Sequence, residues 1–252
     1  MTYTVCFDVA TKSLAVSIVY YDLNYKEYMI DLLTNVNDEF NSIKDIKDIK
    51  DIKDDKTLYN RKMLKFINTI EKASSIFDNR INIIYADVID LIPDKKVSET
   101  SIVYRSEMLF KYLNNTLDPI IKSLTSIEKD DNDDKDDIIF LLEYQMGPNV
   151  KSNIIASQII YHATKYNQKI ELVGPSLKNK VFIGGSDAKY SNFIEKYKTN
   201  YAANKNHAKY NLLNLLKYLK KEDILNSIKK KNIDDIADSI MMSLAYVLKN
   251  YW

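Results

Sequence analysis

The sequence predicts a mixed α/β domain, a sheet with helices packed on it. Three observations carry that expectation. The chain opens with three strand-like stretches joined by short connections, a compact apolar run DIIFLLEYQ follows much later, and helical and strand-like segments alternate from there to the end. At 252 residues the chain is long enough for one sizeable core, and 46% hydrophobic with 28% charged residues describes a globular composition.

The opening stretches are YTVCFDVA (3–10), SLAVSIVYYD (13–22) and KEYMIDLLTN (26–35). Their β-branched and aromatic content and short turns predict an antiparallel three-strand meander. IKDIKDIKDIKDDK (43–56) then repeats every three residues. In a helix each such step turns about 300°, so Ile43, Ile46, Ile49 and Ile52 drift by roughly 60° apiece and hold no lasting stripe. The repeat within 36–56 is therefore expected to be an exposed insertion. Residues 57–78 have helical spacing, INIIYADVI (81–89) suits a short strand, and 99–127 reads as a second helical stretch that Pro119 interrupts or restarts.

EKDDNDDKDD (128–137) reads as an acidic linker, and DIIFLLEYQ (137–145) as a buried central strand, because strands covered on both faces lose polar alternation. NVKSNIIASQIIYHATKYN (149–167) is a predicted helix, and KIELVGP (169–175) a strand ending at a Gly-Pro turn. VFIGGSDAKY (181–190) carries a Gly-Gly loop. HAKYNLLNLLKYLKK (207–221) and the segment from Ile233 onward are amphipathic helices. The whole reads as a single domain over 1–252.

Composition narrows the function. No apolar run reaches the roughly 18 residues of a membrane span, and MTYTVCFDV has no basic segment leading into a longer apolar core, so no signal peptide is expected. A single cysteine, Cys6, excludes an internal disulfide framework. With only His162 and His207, a histidine-rich zinc site is not expected, so any bound metal would rest on carboxylates. The net charge of +1 hides an uneven distribution: Tyr144 to Lys231 holds 16 lysines, five acids and no arginine, directly after seven acids in 128–137. A basic half is suited to a polyanion, since lysines that neutralise phosphates release counterions. Lys151, Lys178, Lys180 and Lys209 are its candidate DNA contacts, and Lys229–Lys231 are candidate contacts to a nucleic-acid arm.

Four acids share a pattern. Asp8 ends the first strand, Glu143 ends the strand IIFLLE, and Asp235 and Asp238 occupy the first turn of the last helix, three apart and on one face. Ligand sites in such sheets gather where adjacent strands end. Four converging carboxylates repel unless cations neutralise them, which argues for divalent metal. Magnesium prefers hard oxygen ligands and bridges to phosphate, and a pair of ions both activates water and stabilises a leaving oxygen. Asp8 is the expected bridge between the ions, with Glu143, Asp235 and Asp238 completing the shell. Asp234 is the expected helix cap.

At these residues the chain resembles a family. FDVATKS, LLEYQMGPNVK, LVGPSLKNKV and IDDIADSIMMSLAYVLKNYW resemble, in order, the motifs of the poxvirus-type Holliday junction resolvases, in the RuvC group of the ribonuclease H-like superfamily. Ala10 stands where the family usually has glycine. The resemblance covers residues 1–35 and 137–252, with 36–136 expected to supply the helix between the third and fourth strands. It implies a ribonuclease H-like five-stranded mixed sheet flanked by helices. It also implies an Mg²⁺-dependent endonuclease, with Mn²⁺ as a substitute, that nicks four-way DNA junctions symmetrically as a homodimer. Asp8, Glu143, Asp235 and Asp238 match its metal-binding acids, and Lys205 its catalytic lysine, with Lys209 as the alternative. A source in a large DNA virus replicating in host cytoplasm, where genome concatemers need resolving, is implied as well.

Other readings use the same residues. An RNA–DNA hybrid cutter or transposase-like enzyme would share the acids. An actin-like or sugar-kinase ATPase would need glycine-rich phosphate loops, and the chain has four glycines. A non-catalytic binder of branched DNA would keep the acids for structure alone.

Overall fold

The computed structural model describes residues 2–22, 81–93, 95–125, 137–144, 149–180, 196, 200–224 and 232–250. Five strands form one sheet: β1 (Thr2–Val9), β2 (Ser13–Tyr21), β3 (Ile81–Asp90), β4 (Asp137–Glu143) and β5 (Lys169–Val173). Their order is β3-β2-β1-β4-β5. β1 runs antiparallel to β2 and parallel to β4, and β4 is parallel to β5. This is the mixed five-stranded sheet that was expected.

One strand differs from the sequence reading. The place beside β2 falls to Ile81–Asp90, which had been read as a separate short strand, while 26–35, the expected third strand of the meander, lies outside the described residues. Short connections favour pairing between neighbours in sequence, but local patterning is blind to a long insertion inside a hairpin. The 36–56 repeat, the 57–78 helix, the Gly-Gly loop and all of the acidic linker except Asp137 also lie outside the described residues, and Asp137 begins β4.

The chain divides into two compact units, Met1–Tyr21 with Ile83–Pro175, and Asp22–Asn82 with Ser176–Trp252. In the first, β1 alternates: Tyr3, Val5, Phe7 and Val9 point to one face, and Thr2, Thr4, Cys6 and Asp8 to the other. The first set packs with Leu14, Val16 and Ile18 of β2 and Ile138, Phe140 and Leu142 of β4 into the core. Three helices complete that core: α1 (Ile102–Tyr112), α2 (Asp118–Thr125) and α3 (Val150–Thr164). The apolar run in β4 is buried along both faces, as an interior parallel strand requires.

Caps and turns follow local chemistry. Ser101 caps α1 by accepting from the Tyr104 amide at 3.1 Å, and Asn149 caps α3 by accepting from the Ser152 amide at 3.3 Å. Between α1 and α2 the helix widens into a π segment, Leu113–Leu117, in which the Asp118 amide donates to the Leu113 carbonyl. Pro119 follows at once. Having no N–H to continue the ladder, it is accommodated by a register shift where a break was expected. Asn167 takes a positive φ of 50° after α3 and turns the chain toward β5.

In the second unit, α4 (Asn200–Tyr218) packs against α5 (Ile233–Asn250), and the short 3-10 turn Leu177–Lys180 packs on both. The sequence reading began α4 at His207; it begins about two turns earlier, at Asn200. The polar stretch NYAANKN has enough alanine to propagate a helix without an apolar stripe. α5 is buried almost continuously from Ile236 to Leu248.

Candidate functional site

The β1–β4 ladder places two of the four acids. Thr2 pairs with Asp137 and Phe7 with Leu142, and the same offset carried one residue further sets Asp8 beside Glu143. Paired residues in a sheet point to the same face, and neighbouring strands lie about 4.8 Å apart. Both carboxylates therefore emerge at the carboxyl ends of adjacent parallel strands, on the face opposite the core formed with α1, α2 and α3. Glu143 is buried and Asp8 half-buried. Two carboxylates on neighbouring strands and the same face are like charges that a cation can bridge.

Asp235 and Asp238 stand in the first turns of α5, as the sequence placed them. Asp238 is engaged: Lys178 Nζ donates to its Oδ2 at 2.6 Å, with both side chains mostly buried. Asp234 lies within the first turn of α5, with Lys209 Nζ 3.9 Å from its Oδ1 across a more exposed gap. Among the described residues no group of three or more His, Cys, Asp or Glu side chains gathers as a metal cage. The backbone register brings Asp8 and Glu143 together.

The lysines distribute unevenly. Lys205 is exposed and lies inside α4, where the sequence reading set it just before that helix. Lys151 Nζ donates to the Thr100 carbonyl at 3.4 Å, and Lys180 closes the 3-10 turn. Lys178, read as a DNA contact, has its ammonium on Asp238 in this arrangement.

The two histidines serve packing. His207 is buried beside Asn211, with Nδ2 and Nε2 3.3 Å apart, and burial pushes its pKa down to about 4. His162 is buried too, its Nε2 2.8 Å from Asp118 Oδ1. Burial lowers its pKa more than the neighbouring carboxylate raises it. Asp118 also accepts from Lys165 and Tyr166. Burial pushes this carboxyl up, but the bonds from Lys165, Tyr166 and His162 outweigh it and hold the pKa below the usual carboxylate value. The network fastens the start of α2 to the end of α3.

Sequence reasoning missed Arg105. Its side chain is fully buried, and its two terminal nitrogens donate to main-chain carbonyls, NH1 to Thr11 and NH2 to Val97, the latter at 2.8 Å. The available signal was scarcity: the chain has three arginines among its many lysines, and this one sits inside a helical apolar pattern.

No protein-family model matches the chain, and no curated protein matches it. Among solved structures it is similar to the fowlpox virus Holliday junction resolvase, at 17% identity, 98% of this chain, 99% of that chain and a TM-score of 0.37. It is also similar to that resolvase in complex with Holliday junction DNA, at 17% identity, 98% of each chain and a TM-score of 0.39. Thermus thermophilus RuvC with a Holliday junction substrate matches at 7% identity over 100% of this chain and 98% of that one, with a TM-score of 0.44.

Proposed function

We propose that the chain is a divalent-metal-dependent endonuclease that resolves four-way DNA junctions. The observation that supports this most is the in-register placement of Asp8 and Glu143 at the carboxyl ends of β1 and β4, in a sheet ordered β3-β2-β1-β4-β5. Magnesium is commonly held by one or two carboxylates together with waters and substrate phosphate, so the donor set of this pair fits it. Asp8 and Glu143 are the primary holders, and Asp235 and Asp238 complete the shell when α5 contributes. Bound ions supply an activated water and stabilise the leaving oxygen in phosphodiester hydrolysis.

The chain's own residues then have distinct tasks. Asp8 and Glu143 would hold the metal, and through it orient the reacting phosphate, on two rigid strands, and Glu143, being buried, shields one side from bulk water. Lys178 holds an Asp238 oxygen, so ligation by Asp238 requires this ammonium to release or share it. Lys205 is exposed on α4 and is the proposed stabiliser of charge developing on the phosphate, with Lys209 the alternative. Lys151, Lys180 and Lys209 are proposed backbone contacts to the junction arms. A homodimer places one such site on each of two strands of like polarity, which yields paired nicks. On the resemblance of the motifs, we propose that this activity serves viral concatemer resolution in host cytoplasm.

The test is cleavage of a synthetic four-way junction by purified protein with and without Mg²⁺, beside linear duplex, flap and RNA–DNA hybrid. Paired symmetric nicks in the junction, with linear duplex spared, are expected. Preference for the hybrid would transfer the chain to ribonuclease H-type activity. Junction binding in EDTA with no cleavage under any metal would leave a non-catalytic binder.

A further inference from the structure

Arg105 is a buried cation with an unusual set of partners. Its side chain is 0% exposed, and among the described residues its two terminal nitrogens bond to the Thr11 and Val97 carbonyls while its Nε finds no partner. Among the described residues no carboxylate pairs with it. Burying a guanidinium without a counterion costs several kcal/mol, and an apolar residue of similar size would fill the same space in α1 without that cost. A costly group that fixes one particular turn asks what the turn does.

The turn in question connects β1 to β2. It is closed by the Ala10 amide donating to the Ser13 carbonyl at 2.9 Å, and it begins two residues after Asp8. Three separate elements fasten it. Arg105 of α1 holds the Thr11 carbonyl, the Leu91 amide just after β3 donates to the Lys12 carbonyl at 2.9 Å, and Asn149 Nδ2 reaches Thr11 Oγ1 at 3.4 Å. Asn149 is also the cap of α3, six residues after Glu143. Thr11 thus joins the exit of the Asp8 strand to the segment that follows the Glu143 strand.

We propose that Arg105 is a positioning residue: through the Ala10–Ser13 turn, and with Asn149 on the other side of Thr11, it holds the carboxyl ends of β1 and β4 in the register that keeps Asp8 beside Glu143. It touches neither substrate nor metal. This rests on the proposed nuclease function, whose acids it serves. Asp8 pairs with Ala15 of β2 and Glu143 with Val173 of β5, but the β1–β4 ladder stops at Phe7–Leu142, so a latch beyond it sets how steadily the two acids face one another. Misplacement of about 1 Å at a reacting centre costs on the order of 100-fold in rate, and loss of a supporting contact about 10-fold in metal affinity.

The experiment compares wild type with Arg105→Met, Arg105→Lys, Thr11→Ala and Asn149→Ser. It reads single-site junction kinetics, Mn²⁺ binding in the absence of DNA by electron paramagnetic resonance, and thermal midpoint. Asn149→Ser keeps an N-cap oxygen but loses the reach to Thr11. Arg105→Met is expected to lower kcat about 100-fold and weaken Mn²⁺ about 10-fold, with KM for junction within about threefold. Arg105→Lys, able to reach one carbonyl of the two, falls between it and wild type. Thr11→Ala and Asn149→Ser each lower kcat several-fold. A purely structural arginine would shift the thermal midpoint and leave kcat and Mn²⁺ affinity intact well below it, and that result overturns the proposal. Should Arg105→Met fail to fold, unchanged kcat in both Thr11→Ala and Asn149→Ser overturns it as well. Wild type that neither cuts junctions nor binds Mn²⁺ overturns the nuclease function together with the latch, and is recognised from wild type alone.

Discussion

Asp8 and Glu143 owe their nearness to the backbone, whereas Asp235 and Asp238 owe their setting to side chains. The first two are fixed by a parallel ladder in which every residue from Thr2 to Phe7 has a named partner. The second two share a helix face, and Asp238 is held by a short, mostly buried bond from Lys178. A ladder cannot move one residue without moving all, while a lysine can let go. The comparison teaches that carboxylates alike in the sequence are placed by different means: one pair by the register of neighbouring strands, and a member of the other by a lysine bonded to it.

The largest effect expected from this contrast is on catalysis. Asp8→Asn and Glu143→Gln should each lower junction cleavage on the order of 1,000-fold or more. Each should also raise the thermal midpoint in EDTA, because one of two facing charges is gone. A fall in midpoint would show that the strand pair is not repulsive.

Asp118 offers a control, an acid of the same unit whose charge is satisfied by His162, Lys165 and Tyr166. Asp118→Ala should destabilise by about 3 kcal/mol, read by urea denaturation, since it strands buried donors. Neutralising an acid would then help at the strand ends and harm at the α2–α3 junction.

Acid should weaken the second unit through His207. Its folded pKa of about 4 lies below the ordinary histidine value, so the unfolded chain takes up the proton first and stability falls as pH drops from about 6.5 to about 4. The loss amounts to about 3 kcal/mol and levels off below that window. His207→Gln should flatten the slope in a pH series of denaturant midpoints. His162, also lowered, adds loss in the same direction.

Asp238→Asn should cost about 1–2 kcal/mol by breaking the Lys178 bond, opposite in sign to Asp8→Asn. Lys209→Ala should matter least, below about 0.5 kcal/mol, because the 3.9 Å gap to Asp234 is open to solvent. A larger change would mean that this lysine does more than the exposed pair.

Most of the sheet was legible because its signals are local. β-Branched and aromatic content with short connections marked β1 and β2, the unbroken apolar run marked β4, and the spacing of IMMSLAYVL marked α5. The neighbour of β2 was not legible, since nothing in 26–35 or 81–90 states which closes the meander across a long insertion. Asp8 and Glu143 were legible as strand ends, and the register supplies their pairing. The Lys178–Asp238 bond was hidden because side chains 60 residues apart leave no pattern. Arg105 was hidden for the same reason: its partners are carbonyls, which every residue possesses.

The π segment between α1 and α2 has a consequence for helix phase. Leu109, Leu113, Leu117 and Ile121 are spaced by four and all fully buried. At 3.6 residues per turn each four-residue step overshoots by about 40°, so a regular helix would carry the last of them well off the sheet. The wider turn at Leu113–Leu117 winds the chain back and keeps the row straight. Removing a single residue from Asn114–Thr116 would rotate everything after it by about 100°, swinging Asp118 away from His162 and turning Ile121 to water.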